Sequence, residues 1–202
     1  MIPTYLGVDI ETTGLTPDHN LILEVVAIPL DEHLNELADP FHYIVPVADP
    51  WRFMDRFVLD MHMKNGLIDE IAGERERLKV DAKTSTWQQA TLLDAQMEKY
   101  IHQFWPIGGK PRSVVFFGAS VHFDKSFIDV HCPETAKLLS HRVYDVSSLK
   151  MLAKDQLGME FPRAEAHRAL ADIRESIRHG RSIIARVLGK ELGEGMKGVH
   201  WA

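Results

Sequence analysis

The sequence predicts an α/β fold: a mixed central sheet of three antiparallel strands followed by parallel strands, with helices on both faces. Three observations carry this expectation. Apolar or alternating runs at Tyr5–Ile10, Leu21–Leu30 and Phe41–Val45 come first, separated only by turn-rich stretches. After Pro50 the apolar residues recur every three or four positions, the period of a helix. The almost wholly apolar run Ser113–Phe117 then stands between helical stretches and stops at Gly118, as expected of a strand covered on both faces.

Taken in order, the first three strands are joined by turn chemistry at Leu15–Asp18 and Asp31–His33. Trp51, Met54, Phe57, Val58 and Met61 form one helical stripe, and Gly66 opens another short segment. Residues 69–83 are dense in charge and read as an exposed loop or solvated helix with at most a structural role. A helix is expected over Thr86–Trp105, closed by Pro106 and the Gly108-Gly109 pair. After the strand at 113–117, the patterning predicts a helix over Phe123–Val130, a short strand at Arg142–Tyr144 and a helix over Ser147–Lys154. The last helix starts at His167 or Arg168 and runs to Leu188, with Ala169, Leu170, Ile173, Ile177 and Ile184 in its apolar stripe. Residues 1–188 are expected to form a single domain, and 189–202 a glycine-containing, loosely held tail.

A chain of 202 residues with 45% hydrophobic side chains supports one sizeable core. The formal charge of −6 argues against a broad nucleic-acid groove, which needs many Lys and Arg contacts to phosphates, but not against a small phosphorylated substrate held by a few local cations. The single cysteine, Cys132, excludes an internal disulfide and fits a reducing compartment. No apolar run is long enough to span a bilayer and Met1–Thr4 carries no secretory pattern, so a cytoplasmic protein without a membrane segment is expected.

The chemistry begins at Asp9 and Glu11. Two residues apart in a strand share a face, so these carboxylates point the same way while Val8 and Ile10 point into the core. Such a pair is unfavourable unless a cation sits between its members. Asp124 follows the buried strand by a few residues and Asp172 lies about one turn into the last helix. In open α/β sheets, ligands gather at the carboxyl ends of strands where the strand order reverses. Four acids converging there form an oxygen-rich site suited to hard divalent ions such as Mg²⁺ or Mn²⁺. His167, at the irregular entry of the last helix, can lean over that site and accept a proton near neutral pH.

The segments Val8–Leu15 (VDIETTGL), Phe117–Asp124 (FGASVHFD) and His167–Asp172 (HRALAD) resemble the three motifs of the DEDDh 3′→5′ exonucleases, which have a ribonuclease H-like fold. Further agreement at His62–Leu67, Tyr144–Lys150 and His167–Ser176 is similar to oligoribonuclease, the branch that hydrolyses very short RNA. The resemblance implies that Asp9, Glu11, Asp124 and Asp172 hold two divalent cations and that His167 is the general base. It implies that Leu15 wedges against a base, that His62 and Ser120 lie near the substrate phosphate or terminal sugar, and that Arg142 and Ser147 bind the 5′ phosphate end. It also implies a homodimer in which the segment around His141 and Arg142 completes the neighbouring site. Phe57 stands where the branch has a stacking tryptophan, His141 where it has a tyrosine, and Ala119 where it has an asparagine.

The expected partners are therefore short RNA oligonucleotides of two to five residues, with short single-stranded DNA as a further substrate. Two rivals of different class are a general single-strand exonuclease of proofreading type and a non-catalytic binding module. Retention of all four acids and His167 opposes the second, because clustered unpaired carboxylates are a poor way to stabilise a scaffold.

Overall fold

Tyr5–Thr12 (β1) is the middle strand of the sheet, and Ile22–Leu30 (β2) and Phe41–Ile44 (β3) add to one side of it in antiparallel register. Val114–Gly118 (β4) and Leu139–Asp145 (β5) add to the other side in parallel. The order β3-β2-β1-β4-β5 matches the expected mixed sheet, with the interior strand at 114–118 between its two parallel neighbours. This computed structural model describes residues 2–81, 86–106, 112–162 and 167–189. The expected stop at Gly108-Gly109 and the tail beyond Gly189 lie outside the described residues.

The helices are Arg56–Lys64 (α1), Leu67–Leu78 (α2), Thr86–Ile101 (α3), His122–His131 (α4), Pro133–Leu138 (α5), Val146–Leu157 (α6) and Ala169–Val187 (α7). Alternation along the strands divides the core in two. Leu6, Val8, Ile10, Val25 and Phe116 pack with Leu67, Ile71, Leu93, Met97 and Phe127 of α2, α3 and α4. On the opposite face, Val26, Ile28, Leu30 and Phe117 pack with Val146 of α6 and Ala169, Ile173 and Ile177 of α7. Phe116 and Phe117, adjacent in sequence, are both fully buried because they point into different layers. With Trp105 at 8% exposure, these aromatics are core, not an interface.

Some expected elements change in extent. The stripe begun at Trp51 is interrupted: Pro50–Phe53 is a single 3₁₀ turn, Met54 is extended, and α1 restarts after Asp55, whose side chain accepts from Val58 N at 2.9 Å. That break turns Trp51 and Phe57 outward, and Phe57 is 78% exposed. Helix α2 resolves the charged stretch as a solvated helix as far as Leu78, while residues 82 and 83 lie outside the described residues. α3 ends at Ile101, with turns continuing to Trp105. Helix α5, not expected from the periodicity, is capped from a distance: Asp94 of α3 accepts from Glu134 N and Thr135 N at 2.9 and 2.8 Å.

Helix α7 sits close to the sheet because Gly7 has no side chain. A Cβ there would meet Leu30 Cδ1 at 3.1 Å and Ile173 at 3.4 Å. Gly118 is tighter still, since a Cβ there would lie 2.7 Å from the Val8 carbonyl oxygen. The two glycines thus bring α7 and the end of β4 up against β1 at the point where the acids emerge.

Candidate active site

Along β1, Val8 and Ile10 are buried in the first core layer, so Asp9 and Glu11 face the α7 layer. Glu11 pairs across the ladder with Glu24, and Asp9 with Val26. Asp172, on the first turn of α7, comes down onto the same face, and carboxylate oxygens of Asp9, Glu11 and Asp172 all lie within 4.8 Å of one another. Asp124 of α4 stands outside this trio but close enough for its charge to act on Asp9. It is 4% exposed, and its Oδ1 accepts from Ile10 N at 2.9 Å, beyond the last β1–β4 pair at Gly7 and Phe117.

The carboxyls resist ionisation together. Burial, then the charges of Asp124 and Glu11, push Asp9 well above the usual carboxylate range. Burial, then Asp172 and Glu24, push Glu11 up to about 8. Asp124 is raised by burial, against the hydrogen bond from Ile10, and Asp172 by burial and then Glu175. A divalent cation among these oxygens would relieve both the repulsion and the lost hydration, so the donor set fits one.

Glu24 behaves differently although it is fully buried. Burial works against its charge, but Arg168 donates to both of its oxygens at 3.1 Å, with Ala169 N at 3.2 Å and His42 Nε2 at 2.7 Å, and its carboxyl is held below the ordinary range. Arg168 also donates to both oxygens of Glu70 on α2, at 2.8 and 2.7 Å. His167, just before it, is exposed and has a left-handed backbone with φ of 42°. This irregular entry to α7 is what the sequence led one to expect.

The other expected residues divide into open and closed positions. Leu15 is 81% exposed, and its loop is tied to the segment before α1 through Asn20, whose Nδ2 donates to Phe53 O at 3.2 Å and whose Oδ1 accepts from Thr16 N at 3.0 Å. Ser120 and Ser147 meet, with hydroxyls 3.2 Å apart. Asp145, which the sequence reading passed over, organises them by accepting from Ser120 N at 3.0 Å and Ser147 N at 2.8 Å. His141 and Arg142 are exposed on β5, the edge strand. From Ser147 a groove of about 460 Å³ runs along α6, lined by Lys150, Met151, Lys154 and Phe161, with Glu160 on its wall. His62 is fully buried beside the acids: its Nε2 hydrogen-bonds to the Thr12 carbonyl at 3.1 Å and lies 4.0 Å from Glu11 Oε2, and burial lowers its pKa. In this arrangement it supports the end of β1.

A family model described as Exonuclease matches residues 6–179. The chain belongs to the exonuclease family. It is 33% identical over 179 residues to an oligoribonuclease of Idiomarina loihiensis, covering 85% of this chain and 87% of that one. An oligoribonuclease of Corynebacterium diphtheriae is 36% identical over 177 residues, covering 85% and 77% respectively. Among solved structures, the Mg²⁺- and Mn²⁺-bound form of S. pombe Pop2p superposes with a TM-score of 0.58 at 12% identity, covering 96% of this chain and 88% of that one. E. coli exonuclease I in complex with a dT13 oligonucleotide gives 0.56 at 16% identity, covering 93% of this chain but only 42% of that longer one. These likenesses confirm the ribonuclease H-like fold. This exonuclease-family chain is accordingly a 3′→5′ exonuclease acting on nucleic acid, and its acidic cluster accords with the use of divalent metal. No helix among the described residues is long and apolar enough to cross a membrane.

Proposed function

We propose that the protein is an exoribonuclease that removes 5′-mononucleotides from the 3′ end of RNA two to five nucleotides long, using two divalent cations, Mg²⁺ or Mn²⁺, and His167 as general base. The observation that carries this reading is the meeting of the Asp9, Glu11 and Asp172 carboxylates beside buried Asp124, with His167 at the open entry of α7. Asp9, Glu11, Asp124 and Asp172 hold the cations, which when bound offset negative charge on the phosphoryl oxygens and acidify water. His167 accepts the proton of the attacking water as its oxygen bonds to phosphorus and the bond to the 3′-oxygen breaks. The leaving oxygen takes up a proton, giving a shortened chain with a free 3′-hydroxyl.

Substrate recognition uses the open residues. Leu15 and exposed Phe57 offer apolar surface to unstacked bases, and Phe57 retains a stacking face smaller than a tryptophan's. Ser147 and Arg142 grip the 5′ phosphate by charge-assisted hydrogen bonds, and His62 and Ser120 lie near the substrate phosphate or terminal sugar. The groove of about 460 Å³ beyond Ser147, with two lysines and one glutamate in its lining, is no extended track for a long strand. Residues 1–188 act as one domain in a cytoplasmic homodimer, with the exposed edge at His141 and Arg142 turned to the neighbouring protomer's site.

Catalytic efficiency on one sequence at lengths from two to twenty, in RNA and in DNA, tests this reading. Efficiency should fall with length, with a 5′-phosphorylated RNA dinucleotide among the good substrates. A flat or rising profile with DNA equal to RNA would replace it with a general single-strand exonuclease, and no turnover at any length would favour a binding module.

A further inference from the structure

We propose that Asn65, at the corner between α1 and α2, is a positioning residue for His167. This rests on the reading of His167 as the general base. His167 is exposed, and its backbone adopts a left-handed conformation that a non-glycine residue takes up only when its surroundings hold it there. Two contacts from one residue hold it. Asn65 Nδ2 donates to the His167 carbonyl, and the Asn65 carbonyl accepts from Arg168 Nη1 at 3.4 Å.

Both ends of this clasp are anchored. Asn65 Oδ1 accepts from Leu67 N at 3.1 Å, two residues on, where Leu67 is fully buried at the start of α2, so this Asx turn orients the amide group. Arg168 is fixed between Glu24 on β2 and Glu70 on α2, with paired contacts to each carboxylate. Glu24 is the ladder partner of Glu11. The α1–α2 corner, the start of α7 and the strand carrying two of the acids are therefore one hydrogen-bonded unit. His167 rides on that unit between two fixed points, its own carbonyl and the Arg168 side chain, which sets where the imidazole can reach. Solvated charge on α2 does not explain this arrangement, because Glu70 spends both of its oxygens on Arg168.

The geometry supplies a separating substitution. Asn65→Asp keeps the oxygen that accepts from Leu67 N and removes the Nδ2 donor to the His167 carbonyl. Asn65→Ser makes the same separation without adding charge, since a serine oxygen also accepts from the N–H two residues on. Each variant should lower kcat by about 10- to 100-fold, the penalty expected when a reacting group is displaced by about an ångström. KM for a short RNA, Mn²⁺ affinity by calorimetry and melting temperature should stay close to wild type. In metal-free protein, the His167 ring signals, assigned by their loss in His167→Ala, should shift or broaden in both variants. If His167→Ala abolishes turnover while both Asn65 variants keep wild-type kcat and ring signals, the positioning role is overturned and the general base stands. A loss of kcat matched by lost Mn²⁺ affinity or a collapsed melting temperature would also overturn it, as a structural effect. If His167→Ala leaves the rate unchanged, the general-base reading itself falls, and only the ring signals then decide whether Asn65 fixes the histidine.

Discussion

Replacing Glu11 by glutamine should stabilise the metal-free protein while abolishing its activity. Glu11 is 8% exposed, and its carboxyl is moved from an ordinary 4.5 to about 8 by burial and then by Asp172 and Glu24. With the folded-state pKa above the unfolded one, folding takes up a proton between those values. The stability linked to this group is complete below about 4.5 and is lost as pH rises through about 8. A displacement of that size corresponds to about 5 kcal/mol at ~1.36 kcal/mol per unit. Relaxation and water entry at a cluster open on one side reduce what is realised to about 1–3 kcal/mol. At about 2–4 °C per kcal/mol for a domain of this size, Glu11→Gln should melt several degrees higher than wild type in EDTA at pH 8.5. Near pH 5, where the native carboxyl is already protonated, the two should melt together. Thermal denaturation followed by circular dichroism at both pH values measures this, and Mn²⁺ at pH 8.5 should raise the wild-type transition far more than that of the variant. A gain of equal size at both pH values, or none at pH 8.5, would refute the claim that this site stores carboxylate repulsion for a cation to relieve.

Other perturbations probe separate parts of the account. Gly118→Ala drives a methyl group toward the Val8 carbonyl, 2.7 Å from the ideal Cβ, and should lower stability by about 1–3 kcal/mol in a denaturant titration, with lost activity from the parted strands. Arg142→Ala should reduce catalytic efficiency on a 5′-phosphorylated dinucleotide more than on a twenty-mer, so equal losses would remove the phosphate grip. Light scattering should give a dimer, and a fully active monomer would remove the role of His141 in a neighbouring site.

Much of the fold was legible because its signals are local. The period-two runs of β1 and β2, the apolar block of β4 and the long stripe of α7 depend on neighbours a few residues away, and each appears close to its expected bounds. The carboxylates were legible for the same reason, since residues 9 and 11 share a strand face whatever surrounds them. What escaped depends on partners far along the chain. Helix α5 is capped by Asp94, about forty residues earlier, and α2 is tied to Arg168, 98 residues beyond Glu70. Asp145 and Asn65 are ordinary polar residues in sequence, and their roles appear only when β4, β5, α1 and α7 are brought together. His62 stood on a charged, half-exposed helix, and only the close approach of α1 to the end of β1 buries it.

The most direct test of the central claim follows a 5′-labelled RNA pentanucleotide over time with metal-stripped protein, with and without Mn²⁺, for the wild type and Asp172→Asn. The account predicts stepwise shortening from the 3′ end by the wild type with metal only, and almost none by Asp172→Asn at any metal concentration. Undiminished hydrolysis in EDTA, or full activity of Asp172→Asn, would contradict it.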